Sequence, residues 1–140
     1  MTYDESPVER TMSLDSAAPV DEGVPHRLST QDQAAVEALG PDHALLIVHH
    51  GPNMGARFLL DVDVTSVGRS VKSDIFLDDV TVSREHAQFV RDGHAFLVRD
   101  LGSLNGTYVN RENVTERRLM AGDEVQIGKY RLTFYPGSQG

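Results

Sequence analysis

The sequence predicts an all-β sandwich preceded by an acidic tail, and three observations carry that reading. From Ala44 onward, about ten short apolar runs are packed into fewer than 100 residues. Turn residues separate them at close intervals, and no gap is long enough to hold the crossover helix of a βαβ fold. Ahead of residue 44 the texture differs. Nine acids stand there against Arg10 and Arg27, a net charge of −7, whereas residues 44–140 hold twelve acids against eleven bases. The asymmetry marks a boundary near Pro41 to Ala44, dividing a tail (1–43) from a β domain (44–137).

Taken in order, residues 1–28 are rich in Asp, Glu, Ser, Ala and Pro and have no apolar period. Such a stretch cannot bury enough apolar surface to offset the entropy of ordering, so a flexible, disordered tail is expected. Residues 30–39 read as a short helix. Thr30 is its expected N-cap, Gln33 closes a capping box, and Gly40-Pro41 stops it. A helix of that length is marginal alone and is expected to fray or dock transiently. ALLIVHH (44–50) and ARFLLD (56–61) flank Gly51-Pro52-Asn53 as a hairpin. Further strands are expected at 64–67, 74–77, 86–90, 95–100, 107–110, 124–127 and 130–135, with tight turns at Asp92-Gly93 and Gly128-Lys129. There is no internal repeat.

Composition excludes several classes of function. With no cysteine among 140 residues, disulfides, thiolate metal sites and cysteine nucleophiles are all ruled out. The net charge of −8 is unsuited to nucleic-acid phosphates or anionic lipid. No apolar run approaches the roughly 18 residues of a membrane span. The acidic start, MTYDESPVERT, lacks the apolar core of a secretory signal, so a cytoplasmic location is expected. No metal or cofactor is expected, since the adjacent His49 and His50 point to opposite faces of a strand and His86 has no helical partner. Ser83 and His86 lie three apart, but no nucleophile elbow or orienting carboxylate accompanies them, so no enzyme activity is expected. Gly51–Gly55 lacks the Lys-Ser/Thr of a phosphate-binding loop. Asp78-Asp79 reads as a solvated turn.

Three loops spend residues that turns alone do not require: Gly68-Arg69-Ser70, Val82-Ser83-Arg84-Glu85-His86 and Gly102-Ser103-Leu104-Asn105-Gly106-Thr107. Singly, each has an ordinary explanation: a structural Gly-Arg, a turn serine with a packed histidine, a type I′ Asn-Gly turn. Loops of a sandwich cluster at its two ends, so these three can converge. Converged, they offer two guanidinium forks, hydroxyls and a carboxamide. That donor-rich surface suits a phosphorylated side chain, with its charge of about −1.5 to −2 and three acceptor oxygens.

In order and spacing, Gly68-Arg69, Ser83-x-x-His86 and Asn105-Gly106 resemble the signature of the forkhead-associated (FHA) domain over about residues 44–137. The resemblance implies an eleven-stranded β-sandwich that binds phosphothreonine peptides through its loops, without catalysis. It implies phosphate contacts from Arg69 and Ser83, with Arg84 as a second cation. Asn105 is then expected to hold the peptide main chain. Ser103 and Leu104 complete the contact loop, with Leu104 shaping selectivity, and Gly68, His86 and Gly106 are architectural.

SDIFLDDVTVSREHAQF, GSLNGTYVNRE and GDEVQIGKYRLTF further resemble the actinobacterial FHA regulators of 2-oxoglutarate-using enzymes. That resemblance implies a monomer whose unphosphorylated form binds the 2-oxoglutarate dehydrogenase complex or enzymes of glutamate metabolism. A Ser/Thr protein kinase then phosphorylates the tail, which binds its own FHA loops and switches the regulator off. The tail departs from the group's Glu-Thr-Thr-Ser-Val-Phe, reading Glu9-Arg10-Thr11-Met12-Ser13-Leu14. Arg10 replaces the first threonine, so a single phosphorylation site at Thr11 is expected rather than two. A flexible chain of 32 residues spreads over roughly 5.5 Å × √32, or ~30 Å. Millimolar effective concentration over micromolar affinity favours closure by about 4 kcal/mol. The alternatives are a Thr11 that is never modified, and a phosphothreonine adaptor in a kinase pathway with no metabolic target.

Overall fold

The structure, a computed structural model, describes residues 28–137. Thr11 and the expectations for the tail around it lie outside these residues. One helix, α1 (Thr30–Glu37), precedes eleven strands. These are β1 (Ala44–His50), β2 (Arg57–Leu60), β3 (Val64–Gly68), β4 (Ile75–Phe76), β5 (Ala87–Asp92), β6 (Ala95–Asp100), β7 (Thr107–Val109), β8 (Glu112–Val114), β9 (Glu116–Arg118), β10 (Glu124–Ile127) and β11 (Tyr130–Pro136). They form a six-stranded sheet in the order β2-β1-β11-β10-β7-β8 and a five-stranded sheet in the order β4-β3-β5-β6-β9.

Alternation puts one face of each sheet inside. Leu46, Val48, Leu132 and Phe134 from one sheet meet Val67, Phe89, Phe96 and Val98 from the other in a single core. Phe96 and Phe134 join the layers edge to face, with ring centroids 6.1 Å apart. The expected hairpin is present, with Leu46 paired to Phe58. Gly93 and Gly128 open the two-residue turns between Asp92 and Ala95 and between Ile127 and Tyr130 with positive φ.

Helix α1 differs from the sequence expectation at its start. Ser29, not Thr30, is the N-cap, accepting from Asp32 N at 3.1 Å. Gln33 is then one place too far along to close a capping box, and its amide donates instead to Glu37 at 3.4 Å. The helix lies along β1 in the opposite direction. Its first turn shares a groove with Ile47, Val48, His49, Met54 and Gly55, and Asp32 pairs with Arg57 at 3.5 Å. Its far end leads to Gly40, packed on Gly137. Leu45 and Ile47, outside the central core, are nonetheless only 6% exposed.

Candidate functional site

Strand register gathers the three loops. Val67 pairs with Ala87, and Ala87 pairs with Asp100, so β3 ends, β5 begins and β6 ends on one row at one pole of the sandwich. His86 N donates to Val67 O (2.9 Å) and Leu101 N to His86 O (3.0 Å), extending that row into the loops. The chain then crosses to β7, where the Thr107 hydroxyl donates to Asp100 Oδ1 at 2.8 Å.

Gly68 permits the closest of these approaches. A Cβ there would lie 1.9 Å from Arg84 O, so only glycine lets β3 end against the 82–86 loop. Arg69 N donates to Ser83 O (2.9 Å) and Ser70 N to Arg84 O (3.2 Å), zipping the two loops together. Arg69 Nε donates to Val82 O at 3.0 Å, which orients the guanidinium. Among the described residues no carboxylate pairs with Arg69 or with exposed Arg84. Lys72, in the same loop as Arg69 and also exposed, adds a third cation that the sequence reading passed over.

His86 is fully buried and braces two loops at once. Its Nδ1 accepts from Ser83 N at 3.0 Å, which requires a lone pair there. The proton therefore sits on Nε2, which donates to Gly106 O at 2.9 Å. Burial pushes the His86 pKa below its ordinary value, outweighing the bond to Gly106 and the charge of Asp100. Folded protein thus takes up this proton at lower pH than unfolded chain does. The stability held by neutral His86 is present above about pH 6.5 and is lost as pH falls through the lowered value. The expected result is a melting temperature that declines below about pH 6. His86→Gln should flatten that part of a thermal-melt pH profile and leave the carboxylate limb below about pH 4 in place.

The 102–107 loop completes the pole. Leu104 N donates to Ser83 Oγ at 3.0 Å, and the Asn105 carboxamide nitrogen donates to Thr81 O at 2.9 Å. Leu104 itself projects into solvent, 89% exposed. Ser103 is half-buried and its hydroxyl is used inside the loop, donating to Asp100 Oδ1 at 2.5 Å and accepting from Gly106 N at 3.0 Å. Gly106 has φ +84° but Asn105 has no positive φ, so the pair forms part of an inter-sheet connection and not a type I′ hairpin turn. Asp79, expected in a solvated turn, is instead the anchor of the 78–82 loop. It accepts from Thr81 N and Thr81 Oγ1, and these bonds hold its carboxyl below the usual carboxylate range. Thr81 Oγ1 in turn accepts from Lys129 N at 2.9 Å.

The structure thus brings Gly68, Arg69, Ser83, Arg84, His86, Ser103, Leu104, Asn105 and Gly106 to one pole. The candidate metal histidines are not brought together. His49 bonds to Glu124 and Thr133 within the six-stranded sheet, His50 is exposed beside it, and His86 is enclosed between loops. Among the described residues no group of three metal-ligating side chains occurs, and no helix is long and apolar enough to cross a membrane.

A sandwich with a donor-rich pole of this construction defines a phosphate-recognition binding module. The FHA domain family model matches residues 65–128. Over 137 residues the chain is 53% identical to the glycogen accumulation regulator GarA of Mycobacterium tuberculosis, spanning 97% of this chain and 85% of that one. It is 59% identical over 106 residues to the oxoglutarate dehydrogenase inhibitor of Corynebacterium jeikeium, covering 76% and 74% of the two chains. A structure solved in work on phosphothreonine-dependent FHA domain interactions superposes with TM-score 0.63 at 29% identity, covering 69% of this chain and 98% of that one. The chain belongs to the FHA-domain family, in the group whose members carry the names GarA and oxoglutarate dehydrogenase inhibitor. Its relatives are regulators and inhibitors, which sets it among regulatory binding proteins.

Proposed function

We propose that this chain is a phosphothreonine-binding regulator that acts by association and not by turnover. Arg69, Arg84 and the Ser83 hydroxyl take the phosphate. Ser83 Oγ accepts from Leu104 N, which leaves its hydrogen for a phosphate oxygen. Asn105 spends one N–H on Thr81 O, so its carbonyl and second N–H can hold a peptide main chain. Leu104 offers an apolar contact beyond the phosphothreonine. The observation that carries the reading is the convergence from three loops of guanidinium, hydroxyl and carboxamide groups that keep spare hydrogen-bonding capacity, held in place by the bonds of His86 and Asp100 and the close approach at Gly68.

The unphosphorylated protein binds and restrains a 2-oxoglutarate-using enzyme, a reading supported by the Corynebacterium relative, which is named an inhibitor of oxoglutarate dehydrogenase. Phosphorylation of Thr11 by a Ser/Thr kinase in the tail (1–43) then directs that tail onto the loops of the domain (44–137). The direction of α1 supports closure in cis. Its first turn lies by Met54 and Gly55, at the same pole as Gly51, Lys129, Thr81 and Asn105, which contact one another in succession. Sixteen residues lie between Thr11 and Leu28. Seventeen steps at roughly 3.4 Å reach up to ~58 Å, more than a small domain's diameter.

Titrating a phosphothreonine peptide of residues 8–14 into the full unphosphorylated chain tests the site directly. Micromolar binding that disappears with the unphosphorylated peptide is expected, and equal binding of both peptides overturns the reading. Capture of 2-oxoglutarate dehydrogenase by the unmodified chain alone supports the metabolic target. Capture of phosphoproteins instead points to an adaptor.

A further inference from the structure

From the geometry of the 102–107 loop we infer that Asp100, together with Ser103, is a positioning residue that sets phosphothreonine affinity through Leu104 and Ser83 without touching the ligand. The inference rests on the phosphothreonine reading of the pole. Asp100 stands at the end of β6, directly opposite Ala87. Its Oδ2 accepts from Gly102 N (2.9 Å) and Ser103 N (3.1 Å), while its Oδ1 accepts from Ser103 Oγ (2.5 Å) and Thr107 Oγ1 (2.8 Å). Ser103 Oγ passes the constraint on by accepting from Gly106 N. The loop is therefore pinned on both sides of Leu104 and Asn105. Held so, Leu104 N meets Ser83 Oγ and fixes which way that hydroxyl can donate.

Four donations converge on this one side chain. The two oxygens of an ionised Asp accept all four, whereas an asparagine of the same shape keeps the two backbone N–H bonds only by turning its NH₂ to the Ser103 and Thr107 hydroxyls, which must then accept and swing their hydrogens away. Burial raises the Asp100 pKa, but the bonds from Ser103, Thr107 and Gly102 outweigh it, so the group is ionised at neutral pH. A fixed negative charge close to a dianion-binding pole is unfavourable by Coulomb's law. Here it is tolerated because the loop needs its acceptor capacity.

This gives the two roles opposite signs. If Asp100 acted only through its charge, Asp100→Asn would tighten binding of a phosphothreonine peptide. If it positions the loop, the same change weakens binding. We expect the full-length Asp100→Asn chain to bind the Thr11 phosphopeptide about 10-fold more weakly, because charge-assisted bonds from Ser103 and Thr107 give way to weaker neutral ones of reversed direction. Hydrogen exchange at the Leu104 amide, measured without ligand, should rise in step. In a Ser83→Ala background the effect of Asp100→Asn on affinity should shrink below about 3-fold, because the path through Ser83 Oγ is already cut. Unchanged or tighter binding by a folded Asp100→Asn chain overturns the inference, as does full additivity with Ser83→Ala. Should Asp100→Asn not fold, Ser103→Ala keeps the carboxylate and the Thr107 bond. It should cost about 3-fold in affinity with an intact thermal transition, and no loss counts against positioning. Failure of the wild-type chain to bind the phosphopeptide sinks the phosphothreonine reading instead. In that case Leu104 exchange still reports whether Asp100 holds the loop.

Discussion

Arg69→Ala is expected to leave a folded protein whose affinity for a Thr11 phosphopeptide has fallen about 100-fold. The side chain is exposed, so its removal opens no cavity in the core. Its Nε bond to Val82 O is one neutral-acceptor contact whose loss costs about 1 kcal/mol of stability. Toward a phosphate the same fork supplies charge-assisted bonds worth about 1.5–3 kcal/mol each, and losing a net ~2.7 kcal/mol corresponds to two decades in Kd. Arg69→Lys should recover only part of this, because an ammonium restores charge without the bidentate geometry or the Nε contact to Val82. Calorimetric titration beside thermal melts separates the two effects. A melting temperature that collapses together with affinity would assign Arg69 to architecture, and unchanged affinity would remove it from the site.

Gly68→Ala is expected to produce the largest combined loss. The new methyl would lie 1.9 Å from Arg84 O, 2.7 Å from Arg84 C and 3.0 Å from Ser73 Oγ. The first two are backbone atoms, which cannot rotate away, so the end of β3 and the 82–86 loop must separate. That movement breaks Arg69 N to Ser83 O and Ser70 N to Arg84 O. Overpacking and two strained bonds together cost about 3 kcal/mol, or on the order of 15 °C in melting temperature. Phosphopeptide binding should vanish as well, because Arg69, Ser83 and Arg84 all hang on this seam. Gly93→Ala is the control. Gly93 has φ +65° but nothing within 4 Å of its would-be Cβ, so only the conformational penalty of about 1 kcal/mol applies. Comparable melting temperatures for the two variants would show that the seam is not tightly closed.

Much of the fold could be read from the chain because alternation is strong where both faces matter. Strands such as Ala87–Asp92 and Glu124–Ile127 bury every second residue, and the glycines at 93 and 128 mark their turns. Glu112–Val114 and Glu116–Arg118 could not be found that way. They carry one buried residue between them, and pair at the edges of their sheets through main-chain groups that leave no mark on side-chain pattern. At the pole, residues with unusual chemistry for a turn stood out: Arg69, Ser83, Asn105. Residues that hold those in place did not. Asp79 and Asp100 are ordinary turn acids in sequence, and only the way each loop folds back on itself, turning Thr81 onto one carboxylate and Gly102, Ser103 and Thr107 onto the other, distinguishes them. Ser103 was expected in the contact loop, and its hydroxyl turns to Asp100 and Gly106, each three residues away, a direction that residue type alone does not reveal. The Ser29 cap illustrates a smaller limit, since two adjacent hydroxyl residues offer equivalent starts and only the first carries non-helical backbone angles.

The course of α1 makes the two sides of this helix unequal as places to lengthen the polypeptide. If the tail closes on its own domain as proposed, spacer added before Leu28 emerges beside Met54 and Gly55 and dilutes a tethered phosphothreonine by roughly the three-halves power of tether length. The same spacer added between Gly40 and Ala44 loops away at the opposite end of the sandwich, near Gly137, and leaves the anchorage of the leash where it was. Under that closure, a change in linker size is consequential on one side of eight helical residues and almost silent on the other.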